Sequence, residues 1–574
     1  MELVTVKIDE QEVQVEKGTT ILEAAKKIGI QIPTLCHLKE INEIGACRVC
    51  VVEVEGARTL SASCVTPVGD GMAVHTTSPR VQHARKLNLE LLLGDHDYSC
   101  PSCIRNLNCE LQDVAQKIGI RDIRFAQKKS KYPKDRSTAA LVRDPAKCIL
   151  CRRCVSVCEK VQTVRAIVPL ERGMKTVIGP AFHEALTDSE CIQCGQCVLV
   201  CPTGALYEKE NIDDVWSALG NKEKHVVVQT APAIRVAIGE EFGCAPGQVS
   251  TGKLVAALRR LGFDKVFDTD FTADLTIMEE GSEFLKRLKG QGKLPLMTSC
   301  SPGWINFIET FYPDMLSHLS TCKSPQQMFG ALAKTYYAEK AGIDPRDIVS
   351  VSIMPCVAKK FEAQRPEMRD SGYQDVDYVL TTRELARMIK QAGISFDQLP
   401  EEDYDAPLGI STGAGLIFGA TGGVMEAALR TVYEIVTGEQ LEEINFYQVR
   451  GLSGVKEATV RVGDSDVKVA VAHGISNARA LMEKITSGAA DYHFIEIMCC
   501  PGGCIGGGGQ PIPTNREVRE KRLAGIYQGD TGMQLRKSHQ NPAVQMLYQE
   551  YLGEPLGEKS HHLLHTSYAP KNKF

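Results

Sequence analysis

The sequence predicts a multidomain protein of α+β and α/β class, and three observations carry that prediction. Its 574 residues amount to three to five domains at about 150 residues each. The first 80 residues alternate apolar and polar positions around several turns, with one helix-like stretch at Ile21–Lys27, as in a small α+β unit. From about residue 210 onward, strand-like runs alternate with helical ones, which argues for parallel α/β layers.

The divisions follow in chain order. Residues 81–125 read as helical from Val81 through Leu93 and again near Glu110–Ile118, with a Cys/His-rich loop between. The basic, polar stretch Gln127–Arg136 reads as a linker. Residues 139–209 hold two similar cysteine-rich halves, an internal repeat. Residues 210–574 form the large domain. Its strand-like runs are His225–Gln229, Val349–Met354 and Val467–Ala472, and its helical runs are Gly252–Leu261, Gly281–Leu288 and Arg383–Ala392. From about residue 520 a helix followed by an extended segment is expected to wrap the surface.

Composition narrows the function. A 43% hydrophobic, 24% charged chain is ordinary for a globular protein. A net charge of −5 argues against a nucleic-acid surface or a basic membrane-binding patch. No apolar run approaches the roughly 18–20 residues of a membrane span. The stretch Met1 to Val15 alternates like a strand and lacks an export signal, so the expected location is the cytoplasm. The 22 cysteines crowd into C-x-x-C runs, which in that setting read as metal ligation.

Iron–sulfur clusters need soft thiolates, usually four per cluster, converging from loops. Cys148-x2-Cys151-x2-Cys154-x3-Cys158 and Cys191-x2-Cys194-x2-Cys197-x3-Cys201-Pro202 are two copies of the bacterial ferredoxin run, in which each fourth cysteine serves the other cluster. Cys201 is therefore expected to complete the Cys148 set and Cys158 the Cys191 set, giving a ferredoxin-like domain with two [4Fe–4S] clusters. Cys36, Cys47, Cys50 and Cys64 resemble the plant-type spacing with a stretched first gap; a zinc ribbon competes, but the strand–turn–strand–helix reading around them favours a β-grasp domain holding [2Fe–2S]. His96-x3-Cys100-x2-Cys103-x5-Cys109 reads as a [4Fe–4S] site with one imidazole, which removes a negative charge and raises the potential. Fifteen cysteines and one histidine make 16 ligands for four clusters, with none left over. The first third of the chain reads as an electron wire.

Seven cysteines remain, at 244, 300, 322, 356, 499, 500 and 504. Cys356 follows a strand-like run, and Cys500 and Cys504 lie in a glycine-rich block whose missing Cβ atoms let backbone approach a bulky cofactor. No Gly-Lys-Ser/Thr follows that block, or the similar stretch Ser411–Gly423, so neither is a phosphate loop. Three motifs, Thr298-Ser-Cys-Ser-Pro-Gly-Trp304, Met354-Pro-Cys-x-x-Lys359 and Glu496-x-Met-x-Cys-x-x-Gly-Cys-x-x-Gly-Gly-Gly-x-Pro511, resemble the signatures of [FeFe]-hydrogenases, and the resemblance covers essentially the whole chain.

That resemblance implies a two-lobed α/β domain holding an H-cluster: a [4Fe–4S] cubane joined to a di-iron site with CO, cyanide and azadithiolate ligands. It implies Cys356, Cys500 and Cys504 as cubane ligands, Lys359 on a cyanide, Met354 and Met498 against the diatomic ligands, and Pro232 and Gln326 in the pocket. Glu280, Glu283 and Arg287 share one helix face by spacing, which by itself describes a solvated charged face; the resemblance makes them a proton relay with Ser320. The family's usual adjacent cysteine pair is here Cys300-Ser301. Ungapped spacing puts Cys300 in the relay position and Ser301 in the ligand position. Either Cys300 relays protons, with Cys322 or Cys499 able to fill the corner, or the loop shifts and Cys300 itself ligates.

The resemblance implies an enzyme interconverting H2 with protons and electrons. Cluster-assembly proteins lack the wire, and a respiratory NADH dehydrogenase subunit would not explain the three motifs. Thr298–Trp304 and Leu319-Ser-Thr-Cys-Lys-Ser-Pro-Gln-Gln327 look similar to catalytic subunits of NAD-linked, electron-bifurcating complexes, which add a flavin-bearing NADH-binding subunit and a small thioredoxin-like [2Fe–2S] subunit. A stand-alone ferredoxin-dependent hydrogenase is the alternative, and a sensory homologue a more distant one.

Overall fold

The computed structural model describes residues 2–125, 132–441, 443–463 and 465–571; positions 127–131 of the expected linker lie outside them. The chain forms two compact units. One comprises residues 1–137, 141–191 and 200–207, the other residues 138–140, 192–199 and 208–574.

The first unit opens with a five-stranded sheet in the order Gln11–Glu16, Leu3–Ile8, Met72–His75, Val51–Val54, Ser61–Ala62. Val4, Val6 and Ile8 alternate into the core, as period-2 patterning requires. Helix Ile21–Lys27 begins where Thr20 accepts the Glu23 N–H, and it lays Ile21, Leu22, Ala24 and Ala25 into the same core. Ser78 caps helix Pro79–Gly94 in the same way, and helix Glu110–Ile118 ends at Gly119 with φ +77°, a left-handed position suited to glycine.

The second unit contains two four-stranded sheets. The first runs Lys265–Asp268, His225–Thr230, Ile348–Met354, Tyr378–Thr381, with every neighbouring pair parallel. Its strands are buried almost throughout, as in sheets covered on both faces. The second runs Leu296–Met297, Phe494–Met498, Ser465–His473, Val455–Val462. Its last strand is antiparallel, a departure from wholly parallel layers; an antiparallel edge tolerates solvent, and Glu457, Thr459 and Arg461 point outward.

Helix Thr269–Leu288 begins twelve residues before the periodic stretch that marks it in the sequence. Thr269 through Ile277 are all buried, so that half of the helix has no polar face to generate a period. The tail is more helical than a single helix and an extended strap. Helix Arg516–Gly532 is followed by Pro542–Leu547 and Glu558–Leu564, whose Leu547, Leu563 and Leu564 join the core around Phe271 and Met328.

Candidate active site and metal-ligand clusters

In the first unit, Cys36, Cys47, Cys50 and Cys64 are all buried. The Cys50 and Cys64 sulfurs lie 3.3 Å apart, and Cys36 hydrogen-bonds both Cys47 and Cys64, so the four sulfurs converge on one place. His96, Cys100, Cys103 and Cys109 line one cavity, which Gly204 also borders. A Cβ on Gly204 would stand 2.7 Å from the Cys103 sulfur, so only glycine fits there. Burial pushes the His96 ring down to about 4, leaving the neutral imidazole that a metal takes. Cys148, Cys151, Cys154 and Cys201 line a second cavity, and burial pushes the Cys148 thiol up to about 12. A thiol so disfavoured as an anion is the kind a metal ion must compensate. Cys158 and Cys191 belong to this unit, and Cys194 and Cys197 to the other.

In the second unit, strands from both sheets end at one buried pocket. His225–Thr230 leads to Pro232, Leu296–Met297 to Cys300 and Ser301, Ile348–Met354 to Cys356, and Phe494–Met498 to Cys500. This is the carboxyl end of each strand, where open parallel sheets bind ligands. Met354, Lys359, Gln326, Met498 and Cys504 also line the pocket. Burial raises the Cys356 thiol well above its ordinary value and Cys504 to about 12. Gly503, at φ +83°, would place a Cβ 2.7 Å from the Thr421 nitrogen, and Gly507 one 2.2 Å from the Pro355 carbonyl. The glycine block thus packs backbone on backbone. Glu496 secures it from behind, accepting the Gly422 and Met425 N–H groups at 2.6 and 2.8 Å at the start of helix Gly423–Thr437.

Lys359 Nζ donates to Glu362 Oε2 at 2.8 Å, and Gln326 Nε2 to the same oxygen at 3.1 Å. Gln326 Oε1 is buried with no hydrogen-bond partner among the described residues. Two thiols disfavoured as anions, a third, Cys500, lowered by its hydrogen bond with Cys499, and a buried ammonium suit an electron-rich metal group.

A polar chain leads away from the pocket. Burial, then Glu280, raises the Cys300 thiol well above its ordinary value. Burial pushes Glu280 up to about 8, opposed by its hydrogen bond to Ser320. Ser320 Oγ donates to Glu283 Oε2 at 3.1 Å, and Arg287 Nη2 to Glu283 Oε1 at 2.5 Å. Arg287 also donates to the Leu319 carbonyl at 2.7 Å. Glu280, Ser320, Glu283 and Arg287 are buried and Cys300 is half-buried, rather than solvated.

Of the two further thiols weighed for the Ser301 corner, only Cys499 lines the pocket. Its N–H donates to Ser301 Oγ at 3.1 Å, and its thiol lies within hydrogen-bonding reach of Cys194 and Cys500. Cys322 instead lies beside Glu283 and His565. Sequence reasoning passed over Glu362, which the i, i+3 spacing to Lys359 would have revealed, and His565, which no local signal marks.

Five family models match the chain: a 2Fe-2S iron-sulfur cluster binding domain at residues 1–79, the NADH-ubiquinone oxidoreductase-G iron-sulfur binding region at 85–124, a 4Fe-4S dicluster domain at 147–205, the C-terminal domain of the iron only hydrogenase large subunit at 224–508, and the iron hydrogenase small subunit at 516–571. The chain is 54% identical over 586 residues to the NADP-reducing hydrogenase subunit HndD of Solidesulfovibrio fructosivorans, covering 100% of both chains. It is 43% identical to iron hydrogenase 1 of Clostridium pasteurianum, covering 98% of this chain and 99% of that one. Among solved structures, a variant of apo [FeFe]-hydrogenase HydA1 from Chlamydomonas reinhardtii superposes with a TM-score of 0.57 at 45% identity, over 63% of this chain and 99% of that one.

Proposed function

The chain belongs to the [FeFe]-hydrogenase family, and we propose that its buried pocket holds the H-cluster on Cys356, Cys500 and Cys504, with Cys300, Glu280, Ser320, Glu283 and Arg287 as the proton path. It is a catalytic subunit that interconverts H2 with protons and electrons and carries [2Fe–2S], [4Fe–4S] and H-cluster domains. The observation that carries the site assignment is the run of buried polar groups from Cys300 to Arg287, starting at the wall of the pocket that the three cysteines line.

When bound, the H-cluster supplies the metal centre at which electrons and protons become H2. The chain's residues do the rest. The three cysteines would hold the cubane as thiolates, and Lys359, fixed by Glu362, would present an ammonium to a cyanide. Met354 and Met498, which line the pocket with Pro232 and Gln326, would pack against the diatomic ligands. Glu280, protonated at neutral pH, passes a proton to or from the Cys300 thiol. The fourth corner falls to the Ser301–Cys499 pair, and iron's preference for thiolate over a hard oxygen favours Cys499.

The accessory ligand sets are those of the spacing argument: Cys36, Cys47, Cys50 and Cys64 for a [2Fe–2S] cluster in a β-grasp domain, His96 with three cysteines for one [4Fe–4S], and the two ferredoxin-type runs for two more. The name of the Solidesulfovibrio relative describes a subunit of an NADP-reducing enzyme. It supports placing this chain in a multi-subunit, NAD(P)-linked enzyme; the motif resemblance adds a bifurcating complex with a flavin-bearing, NADH-binding subunit, a thioredoxin-like [2Fe–2S] subunit and ferredoxin, and the sequence reading adds the cytoplasm. No helix among the described residues is long and apolar enough to cross a membrane.

Anaerobically matured protein should evolve H2 from a reduced viologen, and Cys356→Ala should lose both that activity and the cubane's spectroscopic signal. A cubane retained in that variant would remove Cys356 from the ligand set. Co-purification from the native source tests the complex: a flavoprotein partner is expected, and an isolated chain that couples directly to ferredoxin would favour the stand-alone form.

A further inference from the structure

The loop 192–199 carries Cys194 and Cys197 of the second ferredoxin-type run, yet it packs as part of the catalytic unit. Where it meets the glycine-rich block, main chain lies on main chain. A Cβ on Gly508 would stand 2.5 Å from the Cys194 carbonyl oxygen and 2.8 Å from Gly195 Cα. A Cβ on Gly195 would stand 2.7 Å from Cγ2 of Val357, the residue after Cys356. Arg383 also holds the block, donating from Nη2 to the Gly508 carbonyl at 2.9 Å and to Glu208 Oε2 at 2.7 Å. Two loops that carry proposed ligands, one for an accessory cluster and one for the catalytic cubane, are therefore in direct contact.

Gln196 crosses this seam. Its side chain is buried, and Nε2 donates to the Gly506 carbonyl, two residues past Cys504, at 2.9 Å. A side-chain amide carries two N–H protons, so one remains for a second acceptor. That acceptor is the Cys500 sulfur, which also takes the Gly508 N–H. The Cys499 thiol first, then Gln196 and Gly508, hold the Cys500 thiol below its ordinary value against burial, which raises it. Cys499 in turn lies within hydrogen-bonding reach of Cys194, and a Cβ on Gly303 would stand 2.6 Å from its sulfur and 3.6 Å from Cys194 Cβ. The start of helix Pro302–Phe311 thus closes the same corner. Gln196 stands between Cys194 and Cys197 in the sequence, so it cannot shift without moving their loop.

We propose that Gln196 is a positioning residue of the catalytic cubane, reaching from the accessory loop to donate a hydrogen bond to the Cys500 sulfur and so raise that cluster's potential. This rests on the reading of Cys500 as a cubane ligand. Reduction adds an electron whose charge spreads onto the thiolates, and a donor aimed at one of them stabilises the added charge. Hydrogen bonds to the sulfurs are among the factors that set iron–sulfur potentials. Glutamine suits the place because it is neutral and buries no charge, and its amide has a proton for each of Gly506 and Cys500. An ionised glutamate would offer no proton at all. The side chain that tunes the catalytic site is thereby anchored in the ligand loop of another cluster.

The test uses matured holoenzyme and follows redox titrations by EPR and by the infrared bands of the CO and cyanide ligands, for the unmodified protein, Gln196→Leu and Cys500→Ala. Gln196→Leu fills similar space without a donor. Its catalytic potential should be lower than that of the unmodified protein, with iron content unchanged and the accessory potentials where they were. Pulsed EPR of protein isotope-labelled at its glutamine side-chain nitrogens should show a nitrogen coupling at the reduced cubane, and Gln196→Leu should lose it. An unchanged catalytic potential, or a coupling that survives the substitution, overturns the proposal. So does an equal fall in the accessory potentials, which marks a general loosening of the loop. If Gln196→Leu does not mature, the labelled unmodified protein decides, since no coupling there means no hydrogen bond. A cubane retained in Cys500→Ala would overturn the ligand reading itself, whereas a cubane lost there beside an unchanged potential in Gln196→Leu sinks only the role of Gln196.

Discussion

Lys359 Nζ donates to the Cys300 carbonyl at 3.1 Å, so the side chain proposed to hold a cyanide also holds the backbone of the proposed relay thiol. Its other partner is Glu362, and the two side chains are 10% and 6% exposed. A buried ammonium depends on that carboxylate. Glu362→Gln should therefore destabilise the apoprotein by about 3 kcal/mol, because it strands a buried charge. Urea unfolding measures this, and an unchanged midpoint would show that solvent reaches the ammonium.

Glu280 supplies a pH dependence whose sign is fixed by its environment. Burial holds its folded-state value at about 8, against an ordinary 4.5. Between those values the unfolded chain has released a proton that the folded chain keeps, so this group's contribution to stability falls as pH rises from about 4.5 to about 8 and levels off above. Glu280→Gln cannot ionise. Its apoprotein should gain on the unmodified one as pH rises through that window, read as the difference in urea midpoints at about pH 5 and about pH 8. A constant difference would mean the carboxyl is not so protected.

The corner beside Ser301 separates three variants. Cys499→Ala should cost about four iron atoms per chain, the content of one cubane, whereas Ser301→Ala should keep them. Cys300→Ser should also keep the cubane signal while losing most H2 turnover, because the thiol there is proposed to carry a proton and not iron. A missing cubane in Cys300→Ser would make Cys300 the ligand.

His96 is the proposed imidazole ligand of an accessory cluster. Replacing neutral imidazole by thiolate in His96→Cys adds a negative charge to the site and should lower that cluster's potential, leaving about 14 iron atoms outside the H-cluster. EPR-monitored redox titration reads the shift. A count about four atoms short, with zinc in its place, would reject one of the [4Fe–4S] assignments.

The proposed accessory ligands could be picked out in the sequence because most of them sit in C-x2-C runs, where the spacing itself brings two sulfurs together. Glu280, Glu283 and Arg287 were legible as a helix face, but spacing could not say that the face is buried. Their burial comes from segments distant in sequence: the Ser317 and Leu319 carbonyls on Arg287, and Thr321 and His565 beside Glu283. Glu279 and His565 are 286 residues apart, and nothing near either one announces the other. Glu496 stands in a recognisable motif, yet its task of holding the start of a helix at Gly422 and Met425 emerges only in three dimensions. The antiparallel edge Val455–Val462 was missed because alternation reads the same in either direction.

The pocket also has a history written into chain order. Its walls are drawn from residues near 231, 300, 355 and 500, and the strand delivering Cys500 lies inside its sheet, between Leu296–Met297 and Ser465–His473. A chain still on the ribosome has made the Cys36–Cys64 and His96–Cys109 sets long before the last catalytic thiol leaves the exit tunnel. Until then it holds only Cys356 of the three proposed cubane ligands, and the second sheet lacks an inner strand. On the proposed ligand sets, such a chain would offer iron sites in its first third before the catalytic site is complete, and translation itself would separate the loading of the two in time.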